Sequence, residues 1–251
     1  MKKTANSGQI FILAILTITL VLLSTEVYVY ETTSQTVNSK SDSFSDFVFM
    51  TKLGCKHTII SSLANVSVGG SASVLSTNLE TLDSVVETQY QFGKCLLNYT
   101  LRNTSPYSNG VWRSWGSSGI GISGAYANFT FKTSDREVNA TVYFVMNITT
   151  TVSILGAYQR LTGNNKQINI ICNLFNEGTS ALAKNITTYY KVGNNWFKAD
   201  SSNNYSVTNY GNGTYSLTFR ASILGSEVTV STKVYDTREI FVRANTTCTR
   251  V

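Results

Sequence analysis

Charged residues make up only 14% of this 251-residue chain, aromatic residues make up 12%, and Asn, Ser, Thr and Tyr fill much of the rest. That balance argues against a soluble cytosolic enzyme and for a polar, strand-rich exterior protein. The net charge of +6 includes Lys2 and Lys3, and no further Lys/Arg run follows, so a nucleic-acid surface is not expected.

At the N-terminus, Lys2 and Lys3 precede Gly8-Gln9 and then a long apolar run. Ile10 to Leu23 is broken only by Thr17 and Thr19, and Val27 to Tyr30 extends it. Taken as one helix, Ile10 to Tyr30 is long enough for a hydrocarbon core of about 30 Å. The basic flank then stays cytoplasmic and the bulk of the chain lies outside the cell. Leu23-Ser24-Thr25-Glu26 is a poor small-x-small cleavage site.

Basic residues, a short spacer, Gly8, Gln9 and an apolar stretch together resemble the class III signal peptide of archaeal type IV pilins and pilin-like proteins. The resemblance covers about the first thirty residues. It implies cleavage between Gly8 and Gln9 by a prepilin-type peptidase, with the helix kept as anchor or assembly element. Leu13 stands where bacterial pilins carry Glu at the fifth mature position. The alternative is an uncut signal anchor.

Residues 31–95 are expected to form a helical stalk. Phe44, Phe47, Val48, Met50, Leu53, Ile59, Ile60 and Leu63 recur at steps of three and four. Val68-Gly69-Gly70-Ser71 is a break, and Val74, Leu75, Leu79, Leu82, Val85 and Val86 mark a second helix. The pair is a helical hairpin.

Strand signals dominate after Cys95. Ala127 to Lys132 alternates strictly, with Phe129 and Phe131 on one face. Val138 to Met146, Thr149 to Leu161, Gln167 to Phe175, Asn185 to Val192, Thr214 to Phe219 and Val228 to Tyr235 are further strands, with Asn176-Glu177-Gly178 and Gly211-Asn212-Gly213 as turns. A β-rich region over 96–150 and an antiparallel sandwich over 151–251 are expected. Within the latter, Ile168 to Gly178 and Gly213-Thr214-Tyr215-Ser216-Leu217 resemble immunoglobulin-like surface modules.

The cysteines are Cys55, Cys95, Cys172 and Cys248, an even number that suits disulfides in an oxidising compartment. Sequential pairing, Cys55–Cys95 and Cys172–Cys248, keeps each bond within one module, and the other two connectivities stay open. Closing the longer loop would stabilise by about 4 kcal/mol. His57 is the single histidine, so a zinc site near Cys55 would lack spaced partners, and a Cys–His or Ser–His nucleophile has no other base to use.

N-x-S/T triplets begin at Asn65, Asn98, Asn103, Asn128, Asn139, Asn147, Asn185, Asn204, Asn212 and Asn245. On a strand such a triplet points Asn and Thr outward and its middle residue inward. Gly119-Ile120-Gly121-Ile122-Ser123-Gly124 matches G-x-G-x-x-G, but no βαβ pattern surrounds it, so a flexible loop is expected rather than a dinucleotide site. Trp112 and Trp115 are either satellite core or a stacking surface for sugar rings or a neighbouring subunit.

The expectation is therefore an α+β chain: leader 1–8, transmembrane or assembly helix 9–30, helical stalk, β-rich region and terminal sandwich. Its function would be that of a pilin-like, membrane-anchored cell-surface glycoprotein with a structural or adhesive role, as a minor filament or envelope component. Its partners would be the membrane, pilin-like subunits and envelope polymers; no cofactor is expected. The alternatives are a signal-anchored binding protein that does not polymerise and, third, an extracytoplasmic hydrolase.

Overall fold

The computed structural model describes residues 44–89, 94–134 and 139–251. The chain divides into two compact units, 1–52 and 53–251. Of the first, residues 44–52 are described, and they are helical. Residues 44–67 are the helix α1. There follow α2 (Ser73–Gln89) and the strands β1 (Lys94–Leu101), β2 (Val111–Trp115), β3 (Ile120–Ser134), β4 (Asn139–Arg160), β5 (Asn165–Asn176), β6 (Thr179–Ser180), β7 (Ala183–Val192), β8 (Asn195–Lys198), β9 (Ser206–Asn209), β10 (Thr214–Ser222), β11 (Thr229–Asp236), β12 (Phe241–Thr247) and β13 (Thr249–Arg250).

The Gly-Gly break ends α1 through backbone hydrogen bonds. Gly70 N–H donates to Asn65 O (3.1 Å) and Gly69 N–H to Val66 O (3.2 Å), with Gly69 at φ +113°, the two-bond arrangement that glycine makes at helix ends. Each helix buries one stripe: Cys55, Ile59, Leu63 and Val66 on α1, and Leu75, Leu79 and Val86 on α2. Asn78 Nδ2 on α2 donates to Ser62 Oγ on α1 (2.9 Å). α2 lies on β1, where the Leu97 N–H donates to Asp83 Oδ1 (3.1 Å) and the Tyr99 hydroxyl to Ser76 O (3.2 Å). Leu97, Phe129 and Phe131 share that buried side of β1–β3.

One sheet runs β1-β3-β4-β5-β10-β9, with β2 on β3, β6 on β5 and β13 parallel to β4. β4 is long enough to serve two layers. Its first part pairs with β3 in the helix-backed region, and from Thr150 onward it pairs with β5. The second sheet is β12-β11-β7-β8. Its inner face packs on β4, β5 and β10 around Ile154, Ile170, Cys172, Leu217, Phe219, Val230, Val234 and Val242, which form one core. The chain alternates between the two sheets after β6, giving a Greek-key order.

These observations correct the expected fold class. The described residues are mainly antiparallel β-sheet with two helices, and those helices dock on the sheet instead of standing as a stalk. Among the described residues no helix is long and apolar enough to cross a membrane. The reason is visible in the sequence: α2 has 17 residues, and α1 interleaves Asp46, Lys52, Lys56 and His57 with its apolar positions. The transmembrane and pilin-type features and the membrane-anchored location are corrected with it, since no described helix could carry them; the N-terminus expected in the cytoplasm is outside the described residues. The run Ile10–Tyr30 and the Gly8-Gln9 site lie outside the described residues.

Candidate functional surfaces

Strand register decides which side chains share a face. Across β12-β11-β7-β8, Asn245 pairs with Ser231 and Ser231 with Tyr189, while Arg243 pairs with Lys233. Trp196 pairs with Lys191, and Lys198 with Tyr189. Val230, Val234 and Val242 fill the core, so these intervening residues point the other way, onto the outer face. Tyr189, Trp196, Ser231, Lys233, Arg243 and Asn245 line a pocket of about 220 Å³ there. Ser231 is 5% exposed although it faces away from the core, which marks it as the pocket floor.

The two cations that line the pocket rest on rings and not on carboxylates. Lys233 Nζ lies 4.4 Å from the centroid of Tyr189, and the Arg243 guanidinium 5.4 Å from that of Trp115. Two polar atoms of the pocket residues are buried with no partner among the described residues: Arg243 Nε and Asn245 Oδ1. Lys191 and Lys198 share the face, and none of its outward strand positions is Asp or Glu.

The glycine motif explains how β12 is kept in place. Gly119 to Gly124 is not a loop: β3 starts at Ile120. Gly119, at φ +82°, donates to Asn245 O (2.8 Å), Asn245 N–H donates to Gly116 O (3.2 Å), and the Ser123 hydroxyl donates to Phe241 O (2.7 Å). The free edge of β12 is thereby covered. The glycines serve close backbone approach.

Both sequence-selected tryptophans are half-buried. Trp112 meets Tyr107 edge-on (5.8 Å). Trp115 meets Phe241 edge-on (5.2 Å), and its Nε1–H donates to Ser123 Oγ (3.2 Å). Trp115 thus props the β12 side of the pocket face, while the exposed indole is Trp196.

Nine of the ten triplet asparagines are exposed, and Asn245 is the exception. Asn98, Asn128, Asn139 and Asn147 fall on one side of β1–β3–β4, opposite the helices, because their register pairs them with outward residues of the neighbouring strands. Their middle residues turn inward: Phe129 is 2% exposed and Ile148 4%. Asn185 lies on the outer face of β7, and Asn65, Asn103, Asn204 and Asn212 lie in turns and helix ends.

All four cysteines are buried free thiols. Cys172 and Cys248 line the same sandwich core, Cys55 the stripe of α1, and Cys95 the start of β1. Burial pushes Cys55, Cys172 and Cys248 up to about 12; burial, with Asp83 and Glu87 nearby, takes Cys95 to about 11. These thiols are protonated at neutral pH and poor nucleophiles. His57 is exposed on α1, on a different side from buried Cys55. Among the described residues no group of three or more His, Cys, Asp or Glu side chains is placed to hold a metal ion.

Comparison with protein-family models finds no match, and comparison with curated proteins finds no relative. The pocket face was not legible beforehand. Its members come from four strands, and only the register brings them together.

Proposed function

We propose that this chain is a glycoprotein with a structural or adhesive role, acting by binding rather than by catalysis, on an immunoglobulin-like sandwich scaffold. The observation that carries this reading is the placement of Asn98, Asn128, Asn139 and Asn147 on one exposed face of β1–β3–β4. Glycans there would coat one side of the larger sheet, whereas the outer face of β12-β11-β7-β8 carries one exposed triplet asparagine, Asn185, at the Tyr235 end of β7, and its Tyr189–Ser231 end stays open for a partner. A coat of that kind also holds neighbouring copies apart, which favours a binding protein over a closely packed fibre subunit. The neutral, buried thiols and the lone exposed histidine support a non-catalytic role.

Glycopeptide mapping of protein isolated from its native source tests this. Occupancy is expected on the four-asparagine face and not at Asn245, which alone of the ten is half-buried. Bare asparagine at all four face positions would remove the glycoprotein reading.

A further inference from the structure

We propose that the pocket on the outer face of β12-β11-β7-β8 binds an acidic saccharide, a sugar ring bearing a carboxylate. This ligand class deepens the adhesive reading, but it stands on separate residues from the glycan face. Several observations converge on it.

The first is charge. Lys233 and Arg243 line the pocket, Lys191 and Lys198 flank it, and no carboxylate occupies an outward position on these strands. Neither Lys233 nor Arg243 is in an ion pair among the described residues, and both rest on aromatic faces that fix their heads. The face is therefore an uncompensated, preorganised anion site.

The second is the pair of orphan atoms. Arg243 Nε is a buried donor without an acceptor, and Asn245 Oδ1 a buried acceptor without a donor. Leaving both unmet is costly, and both belong to pocket-lining residues, so a small shift of these side chains would offer an entering ligand one donor and one acceptor within a small volume. A carboxylate satisfies the first. A hydroxyl satisfies the second, which a fully ionised phosphate or sulfate lacks. A sugar acid carries both groups on one ring.

The third is shape. The pocket holds about 220 Å³, which suits one ring and not a polymer track. Trp196, 44% exposed at the mouth, and Tyr189 offer flat apolar faces for the sugar C–H surface. A nucleic acid would call for a longer basic groove with several stacking rings, and one pocket with two lining and two flanking cations does not provide it.

The test uses the full chain, a tetragalacturonate, and the same oligosaccharide methyl-esterified at its carboxylates, followed by titration calorimetry and tryptophan fluorescence. The acid form should bind, and the ester about tenfold or more weaker. Lys233→Gln and Trp196→Ala should each weaken the acid form by about tenfold with unchanged melting curves. Arg243→Gln should do the same, but Arg243 packs on Trp115, so the other two variants decide if it unfolds. Equal binding of acid and ester overturns the proposal. So does no binding at about millimolar acid, parental affinity in Lys233→Gln and Trp196→Ala, or tighter binding of a single-stranded oligonucleotide. Enzymatic removal of glycans should leave the affinity unchanged, so a failure here is separate from a failure of the glycoprotein reading.

Discussion

Gly121 runs so close beneath Arg243 that a Cβ on it would overlap the Arg243 carbonyl oxygen. A backbone carbonyl cannot swing aside as a side chain can. Gly121→Ala is therefore expected to push β3 away from β12 and destabilise by about 1–3 kcal/mol. Gly124→Ala, where the nearest atom is the Thr149 Cγ2 at 3.2 Å, should cost less. Urea midpoints at constant m-value would compare the two, and equal midpoints would contradict the close-approach account.

A second expectation concerns Asp236, which is fully buried at the end of β11. Its carboxylate accepts from the backbone N–H groups of Arg238 and Ile240 (2.9 Å each), from Arg238 Nε (2.8 Å), and from the Thr150 hydroxyl on the facing sheet (3.0 Å). Arg238 continues to Glu177 (2.7 Å) and to Thr149 O (3.1 Å). Asp236→Ala leaves Arg238 with Glu177 as its single carboxylate partner and strands three further donors, at about 3–5 kcal/mol. Glu177→Gln, at the half-exposed end of the same network, should cost under about 1 kcal/mol. Denaturant melts of both variants check the ratio.

The thiols set an alkaline limit. Cys55, Cys172 and Cys248 are raised from 9.0 to about 12 in the fold. The unfolded chain thus loses these protons first as pH rises. Their stabilisation is complete below pH 9 and declines as pH climbs toward 12. Unfolding free energy in reducing buffer should fall as pH rises from about 9 toward about 12. Cys172→Ala/Cys248→Ala should show a shallower fall, and an identical slope in that variant would show that other groups are responsible.

Phe129 is 2% exposed and stacks on Phe144 at 5.0 Å within the helix-backed layer. Phe129→Ala should cost about 3–5 kcal/mol. Its exposed neighbour change, Asn128→Gln, removes the triplet yet should stay within about 0.5 kcal/mol. Thermal melts of unglycosylated protein separate these effects from any glycan contribution.

The strict alternation from Ala127 to Lys132 made the inward Phe129 and Phe131 readable, because a period of two has a single solution once one face is apolar. The Gly69-Gly70 stop and the Asn176-Glu177-Gly178 turn were readable for the same kind of local reason, with Glu177 at φ 48° and Gly178 at φ 78°. The continuity of β4 was not. Met146 to Thr149 looked like a gap between strands, yet no Gly or Pro interrupts it, and the strand passes from one partner to the next. Gly119 to Gly124 looked like a loop because close approach to β12 leaves the same mark as flexibility. Of the candidate site, the outward parity of Tyr189, Lys233 and Arg243 is local and Lys233 meets Arg243 across neighbouring strands, but bringing Tyr189 beside them depends on the long-range pairing of β7 with β11.

The β3–β4 ladder is continuous from Ile120–Ser153 to Ser134–Asn139, and β4 then carries on against β5 into the sandwich. The helix-backed layer and the sandwich are thus joined by a stiff two-stranded beam and not by a swivel. Tension applied along these strands loads many cross-strand hydrogen bonds side by side, in shear, so they must fail together instead of unzipping one at a time. For the adhesive role proposed above, this is a fold that transmits a pull without lengthening.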